Sequence, residues 1–409
     1  MEFELEYSPE QEAFRGEVRE WLKTNVPHGI SISPRDEEHP REEWELRREL
    51  GRRLGARGWL WPTMPEEYGG GGLTMGHSII LHEEMDRVGL RLIPYSDSAS
   101  LAAPSILVWG SAEQKNAFLP RMFRGEVVTF QCLTEPEVGS DLASVKTLAV
   151  RDGDEYVVNG HKMYIGAAHG VDLLWTIAVT DPRAPRHENV SWFVIPANSP
   201  GITIMPMDLL GSRGENGDPE GYKNDIFFDN VRVPASNLVG GENNGWKVAS
   251  THLELEHGGG GNVARTRFER EAREWFKTAR IDGGALTRDR DSMDVIAEMH
   301  IDWEINRLLG LRNFYLANAK RPTSYGGSQS SYVRKTAGLR MTNLMGRLLG
   351  YHALTTDTEY RICDGHIESQ QRSGIINVHP GGTTDIQKLI MARRIGIGRT
   401  TQEEAGRIR

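Results

Sequence analysis

Apolar and charged residues recur at three- and four-residue spacing along the first third of the chain, which is the pattern of amphipathic helices. Residues 6–26 and 41–59 show it most clearly. Ser8 followed by Pro9 is typical of a helix N-cap with proline at the first helical position. Residues 1–128 are therefore predicted to form a helical domain.

The pattern then changes to short runs of β-branched and aromatic residues, such as 173–180, 191–197 and 225–234. Turn-forming Asp-Gly, Asn-Gly and Pro separate these runs, so residues 129–240 are predicted to form a compact antiparallel β domain. Helical periodicity returns after this domain and predicts a helical bundle over residues 241–409. The expected fold class is α+β, in the order α, β, α.

Composition narrows the class of protein. The 409 residues are 38% hydrophobic and 26% charged with a net charge of −9, which is typical of a soluble globular protein without a basic nucleic-acid face. No apolar run reaches the length of about 18 residues that a membrane span needs, and the first residues lack the pattern of a signal peptide, so a cytoplasmic location is expected. The two cysteines, Cys132 and Cys363, exclude a disulfide framework and a cysteine-rich zinc site.

Motifs of several enzyme classes are missing. The chain has no GxGxxG after a predicted strand, no GxxxxGK[ST], no HExxH and no GxSxG, and its 13 histidines show no metal-ligand spacing. No metal is expected. If the protein is an enzyme, an organic cofactor is expected to supply the difficult chemistry.

The segment QCLTEPEVGSDLASVKT, residues 131–147, is the most informative one. Gly139 allows a close backbone approach, and the N–H groups around Gly139 and Ser140 can face phosphate oxygens. The hydroxyls of Thr134 and Ser140 can bind a ring or a phosphate, so the segment suits a flavin diphosphate. The alternative is an ordinary Gly-Ser-Asp turn.

Six phrases along nearly the whole chain resemble the acyl-CoA dehydrogenase family in order and spacing. They occupy residues 6–22, 61–74, 133–147, 154–165, 227–246 and 381–398. The resemblance implies an N-terminal helical domain, a central β barrel and a C-terminal four-helix bundle. It also implies FAD between barrel and bundle, an acyl-CoA substrate and a tetramer.

The same resemblance assigns residues to the site. Those implied to line the flavin are Gln131, Leu133, Thr134, Gly139, Ser140, Tyr164, Gly166, Thr383 and Asp385. Those implied to approach the substrate are Ser140, Gly381 and Gly382. Tyr164 and Gly166 depart from the family, which usually has tryptophan and a hydroxyl residue there, and Asp385 replaces a longer glutamine or glutamate.

The catalytic base requires a choice between two positions. Much of the family has a glutamate directly before the Gly-Thr of the last motif, where this chain has Gly381. Other branches have it on the first helix of the C-terminal bundle, in a phrase that LELEH at residues 253–257 resembles. Glu254 and Glu256 lie about 200° apart on a helix, so both cannot face one flavin. The resemblance selects Glu256, with His257 where arginine is usual.

Three functions remain open. The first is an active dehydrogenase that passes electrons to an electron-transfer flavoprotein, as a homo- or hetero-tetramer. The second is a non-catalytic or half-site subunit of a hetero-oligomeric dehydrogenase, and the third is a flavin oxidase or monooxygenase relative that uses oxygen. No residue pattern identifies the acyl group.

Four consecutive glycines, Gly258–Gly261, follow the predicted base on what is expected to be one continuous helix. Each lowers helix stability by about 1 kcal/mol relative to alanine. The run either packs closely against a neighbouring helix or breaks locally, or it widens the acyl pocket for a branched or ring-bearing substrate.

Overall fold

The computed structural model describes a large part of the chain, in two compact units. The described residues are 6–27, 41–95, 101–166, 169–207, 209, 223–258, 267–281, 284–322, 324–355, 362 and 366–397. One unit is Ala13–Glu256, and the other combines Met1–Glu12 with His257–Arg409.

The N-terminal part is helical, as predicted. Its helices are α1 (Pro9–Asn25), α2 (Arg41–Gly55), α3 (Met75–Val88), α4 (Ala102–Trp109) and α5 (Ala112–Phe123). α1 begins at the predicted proline. The Ser8 hydroxyl accepts from the Gln11 N–H at 3.2 Å, and the Gln11 side chain accepts from the Ser8 N–H at 3.0 Å, which is a capping box. The apolar faces of α1, α2 and α3 share one core that includes Val18, Leu50 and Leu81.

The middle of the chain forms one eight-stranded sheet. Its strands are β1 (Thr129–Cys132), β2 (Leu148–Asp152), β3 (Glu155–Ile165), β4 (Leu173–Val179), β5 (Val190–Pro196), β6 (Ile202–Pro206), β7 (Asn224–Pro234) and β8 (Leu238–Val239). The order is β6-β7-β3-β2-β4-β5-β8, and β1 pairs with β4. The strands that the structure describes do not close on themselves, so "barrel" describes the sheet only loosely.

Most strand pairs are antiparallel, but β1 lies parallel to β4. Parallel neighbours need a long connection, and here the β2–β3 hairpin lies within it. β4 is buried along its whole length. Leu173, Trp175 and Ile177 join the core under α4 and α5, while Leu174 and Ala178 join the core with β3 and β7. Burial on both faces explains its continuous apolar sequence.

The C-terminal part is again mostly helical, which confirms the predicted fold class. Its elements are α6 (Gly245–Gly258), α7 (Arg267–Thr278), β9 (Arg280–Ile281), β10 (Gly284–Ala285), α8 (Arg290–Asn318), α9 (Gly326–Leu349), α10 (His366–Ile376) and α11 (Thr384–Arg394). A core that includes Phe276, Met299, Met345 and Ile367 joins α7 to α10. None of the helices described here has the length and apolar character to cross a membrane.

Candidate functional site

The predicted flavin residues of the middle domain fall in two segments, 131–140 and 164–166, which lie side by side. The Thr134 carbonyl oxygen accepts a hydrogen bond from the Met163 N–H at 2.9 Å, which joins the residues after β1 to the end of β3. Gln131 and Thr134 are half-buried, whereas Gly139 and Ser140 are exposed. The structure therefore brings the first segment next to the strand that carries the second.

A buried ion pair shapes the turn that follows β1. Lys162 Nζ donates to Glu135 Oε1 at 2.8 Å and to the Leu133 carbonyl oxygen at 3.2 Å. The Glu135 carboxylate also accepts from the backbone N–H groups of Lys146 at 2.6 Å and Thr147 at 2.9 Å. One carboxylate thus joins the start and the end of the turn.

The electrostatics of this pair keep Glu135 ionised. Burial by itself would raise the pKa of the Glu135 carboxyl, but the charge of Lys162 and the hydrogen bonds outweigh it, and the pKa is lowered. Sequence reasoning missed the pair. Lys162 lies at an even spacing from the buried Tyr156 and Val158 on β3, so strand periodicity could have identified it as an inward-facing residue.

Tyr164 adopts a backbone conformation that is rare for an aromatic residue. Its φ is 59°, in the left-handed region, and the pairing of β3 with β7 shifts register between Lys162 and Ile165. Its side chain is 49% exposed. Such a conformation costs energy, so it persists only where the surrounding structure maintains it. Residues of this kind cluster at active sites and ligand sites.

Gly166 packs directly against Phe130. A Cβ at Gly166 would lie 1.9 Å from Cε1 of the Phe130 ring, so a larger residue fits only if the ring moves. Phe130 is 8% exposed. The departure from the family at Gly166 is therefore matched by an aromatic residue that fills the space.

Helix α6, which carries the predicted base, is fixed to the rest of its unit by three indole N–H groups. Trp109, Trp175 and Trp192 donate, respectively, to Thr251 Oγ1 at 2.9 Å, His252 Nδ1 at 3.3 Å and the Gly245 carbonyl oxygen at 2.8 Å. These contacts define where the helix lies and how it is rotated.

His252 also contacts a predicted flavin residue. Its Nε2 lies 2.6 Å from Gln131 Oε1, and the side chain is fully buried. The rings of Trp175 and Trp192 stack 4.7 Å apart beside it. Sequence reasoning did not identify His252. It noted only the nearby His257, at a position where the family usually has arginine, and the His257 side chain lies outside the described ones.

Of the two candidate bases, Glu254 and Glu256, the structure describes the side chain of Glu254 alone. Glu254 on α6 is exposed. Residue 256 belongs to the same helix, but its side chain lies outside the described ones, and Gly259–Gly261 also fall outside the described residues.

The predicted C-terminal site residues form a tight loop before α11. Gly381 and Gly382 have φ values of 61° and 74°. Lys335 Nζ, on α9, donates to the carbonyl oxygens of both glycines, and Gln387 Nε2 donates to that of Gly381 at 2.9 Å. These contacts turn the carbonyl groups toward buried side chains. Sequence reasoning missed Lys335.

The beginning of α11 carries the other two predicted residues. Thr383 caps the helix, since its hydroxyl accepts from the Ile386 N–H at 3.2 Å. Asp385 is exposed and pairs with Lys388 at 3.2 Å. Across the described part of the chain, no group of three or more His, Cys, Asp or Glu side chains could hold a metal ion.

Comparisons with known proteins place the chain in one family. Its models match in three consecutive parts: the acyl-CoA dehydrogenase N-terminal domain at residues 8–126, the middle domain at 131–231 and the C-terminal domain at 243–396.

Individual relatives agree with the family models. Acyl-CoA dehydrogenase IpdE1 of Mycolicibacterium smegmatis is 31% identical over 298 residues, which are 69% of this chain and 74% of the relative. A solved structure described as the steroid ACAD Tcur3481-Tcur3483 is 26% identical with a TM-score of 0.80, covering 98% of this chain and 100% of the other. The ChsE4-ChsE5 complex of Mycobacterium tuberculosis is 28% identical with a TM-score of 0.78, covering 97% and 100%. The chain belongs to the acyl-CoA dehydrogenase family of flavin-dependent oxidoreductases.

Proposed function

We propose that this protein is an FAD-dependent acyl-CoA dehydrogenase of the cytoplasm that converts an acyl-CoA thioester into the 2-enoyl-CoA. The observation that carries the proposal is the contact between the two predicted flavin segments, through the Thr134 carbonyl oxygen and the Met163 N–H. When bound, FAD supplies the acceptor for the hydride that leaves Cβ of the substrate.

The chemistry of the described residues fits a flavin. Gln131 and Thr134 offer an amide and a hydroxyl from half-buried positions, and Ser140 offers an exposed hydroxyl. A Cβ built on Gly139 meets no heavy atom within 4 Å, so its backbone is open to a phosphate. The exposed ring of Tyr164 offers an aromatic surface. Thr383 and Asp385 remain predicted flavin contacts.

We propose Glu256 as the base that removes the Cα proton. Position 256 falls about 40° from the buried His252 around the axis of α6, whereas Glu254 is exposed. Gly381, at the other base position of the family, has a φ of 61°, which a glutamate rarely adopts. A Cα proton beside a thioester is only weakly acidic, so the base has to be close and oriented. Gly381 and Gly382 remain predicted substrate contacts, as does Ser140.

The test is an anaerobic titration of the purified yellow protein with a panel of acyl-CoA thioesters. We expect the flavin band to bleach with at least one of them. Glu256→Gln should keep FAD but lose on the order of 10²–10⁴ in rate, while Glu254→Gln, the matched control, keeps its rate. A colourless protein that cannot be reconstituted with FAD would refute the enzymatic proposal. A rate that falls in Glu254→Gln alone would move the base to that residue.

Two solved relatives bear on the oligomer and the substrate. One is described as a complex of two named chains, and the other carries two chain names and the word steroid. We propose a tetramer, either of this chain alone or with a second family member, that acts on a bulky acyl-CoA and transfers electrons to an electron-transfer flavoprotein. Native mass spectrometry gives the subunit composition. Turnover that requires oxygen, with no transfer to the flavoprotein, would favour the oxidase alternative.

A further inference from the structure

We propose that His252 is a positioning residue for the flavin site, which holds the Gln131 side-chain amide with its oxygen inward and its NH₂ group outward toward the flavin. This inference rests on the proposed function. His252 lies on α6 and Gln131 on β1, and their side chains meet at 2.6 Å between His252 Nε2 and Gln131 Oε1. His252 is fully buried.

The hydrogen-bond partners fix the tautomer of His252. Trp175 Nε1 contacts His252 Nδ1 at 3.3 Å, and an indole N–H can only donate, so Nδ1 accepts. In the neutral imidazole the proton is then on Nε2, which donates to Gln131 Oε1. An imidazolium would place a second N–H opposite the indole N–H, so this arrangement favours the neutral ring.

The same two hydrogen bonds determine which end of the Gln131 amide faces away from His252. The oxygen and nitrogen of an amide have nearly the same size, so packing alone does not distinguish the two orientations. Because Nε2–H of His252 requires an acceptor, the oxygen lies on the His252 side and the NH₂ group on the other branch. Gln131 therefore presents a donor, which suits the acceptor atoms along the edge of a flavin ring.

The experiment compares His252→Leu with His252→Gln and with Thr251→Val. Leucine removes the donor, so we expect the FAD dissociation constant to rise on the order of tenfold, with a shift of the visible flavin band and of its midpoint potential. The glutamine amide can donate to Gln131 again and should restore the band and most of the affinity. Thr251→Val is the matched control, since Thr251 is the neighbouring residue on α6 and also accepts from an indole N–H, that of Trp109 rather than Trp175.

A double-mutant cycle shows whether His252 acts through Gln131. His252→Leu combined with Gln131→Leu should be no worse than Gln131→Leu alone. If His252→Leu does not fold, Gln131→Glu serves instead, because it keeps an oxygen for His252 and replaces the NH₂ group with a second oxygen. It should weaken FAD binding and shift the flavin band.

The outcomes separate this inference from the proposed function. Unchanged FAD affinity and spectrum in His252→Leu, additive effects in the cycle, an equal effect of Thr251→Val, or unchanged FAD binding in Gln131→Glu would each overturn the role of His252. A wild-type protein that takes up no FAD would refute the proposed function itself, and the positioning role with it.

Discussion

Replacing Lys162 with methionine removes the cation from the buried pair that shapes the turn after β1. Lys162 is 0% exposed and Glu135 is 5% exposed, and their charged atoms lie 2.8 Å apart. Methionine is flexible and similar in length, so the change in packing is small, whereas the Glu135 carboxylate keeps its charge without its cation. Removing one partner of a buried ion pair costs about 3–5 kcal/mol, and we expect a loss of this size in the free energy of unfolding at neutral pH.

Urea unfolding of the apo-protein measures this loss, and FAD titration measures its effect on the turn. The matched control is Lys146→Met in the same turn. Lys146 pairs with Glu137, but their side chains are 68% and 73% exposed, so removing this pair should change stability little. Equal unfolding curves for Lys162→Met and wild type would refute the reasoning.

The pH dependence provides an independent check. Burial would raise the pKa of Glu135, but the charge of Lys162 and the hydrogen bonds from Lys162, Thr147 and Lys146 together lower it from 4.5. A carboxyl group with a lowered pKa in the folded state contributes stability above 4.5 that is lost as the pH falls through its folded value. In Lys162→Met the contribution of Lys162 is already absent, so the gap to wild type should narrow in acid. A gap of the same size at neutral and acidic pH would contradict this account.

Further predictions concern the proposed base Glu256, the predicted flavin residue Gly166 and the glycine run. Glu256→Gln should purify yellow yet fail to bleach with acyl-CoA, as absorbance will show. Gly166→Ser should lower the unfolding free energy by about 1–3 kcal/mol, because the side chain meets the Phe130 ring, and Phe130→Ala should relieve the loss; a stable single variant would contradict the crowding. Gly259→Leu and Gly260→Leu should reduce kcat/KM for bulky acyl-CoA more than for short straight-chain acyl-CoA, and equal losses would return these glycines to a packing role.

Much of the fold could be predicted because local patterns determine it. The capping box at Ser8 and Gln11 and the buried run of β4 are readable from neighbouring residues. The parallel pairing of β1 with β4 and the open edge of the sheet could not be predicted in this way. They depend on how segments far apart in the chain meet, which residue spacing does not reveal.

The candidate site shows the same limit at the level of side chains. The phrase around Gly139 and Ser140 is visible in the sequence, but the contacts that hold it are not. Gln131 and His252 are separated by 121 residues, and Glu135 and Lys162 by 27. Each is an ordinary polar residue until the fold buries it beside its partner. The roles of the predicted site residues stay predictions until the variants are measured.

One residue of β4 supports both parts of the proposed chemistry. The backbone of Trp175 is paired in register with Gln131, and its indole N–H donates to His252 on α6. The predicted flavin segment and the helix that carries the predicted base are therefore positioned from the same buried strand. Because proton and hydride removal from adjacent carbons require both groups at fixed distances, a rigid common support limits the relative movement of the two. The stacked rings of Trp175 and Trp192, 4.7 Å apart, add to that rigidity beneath the helix.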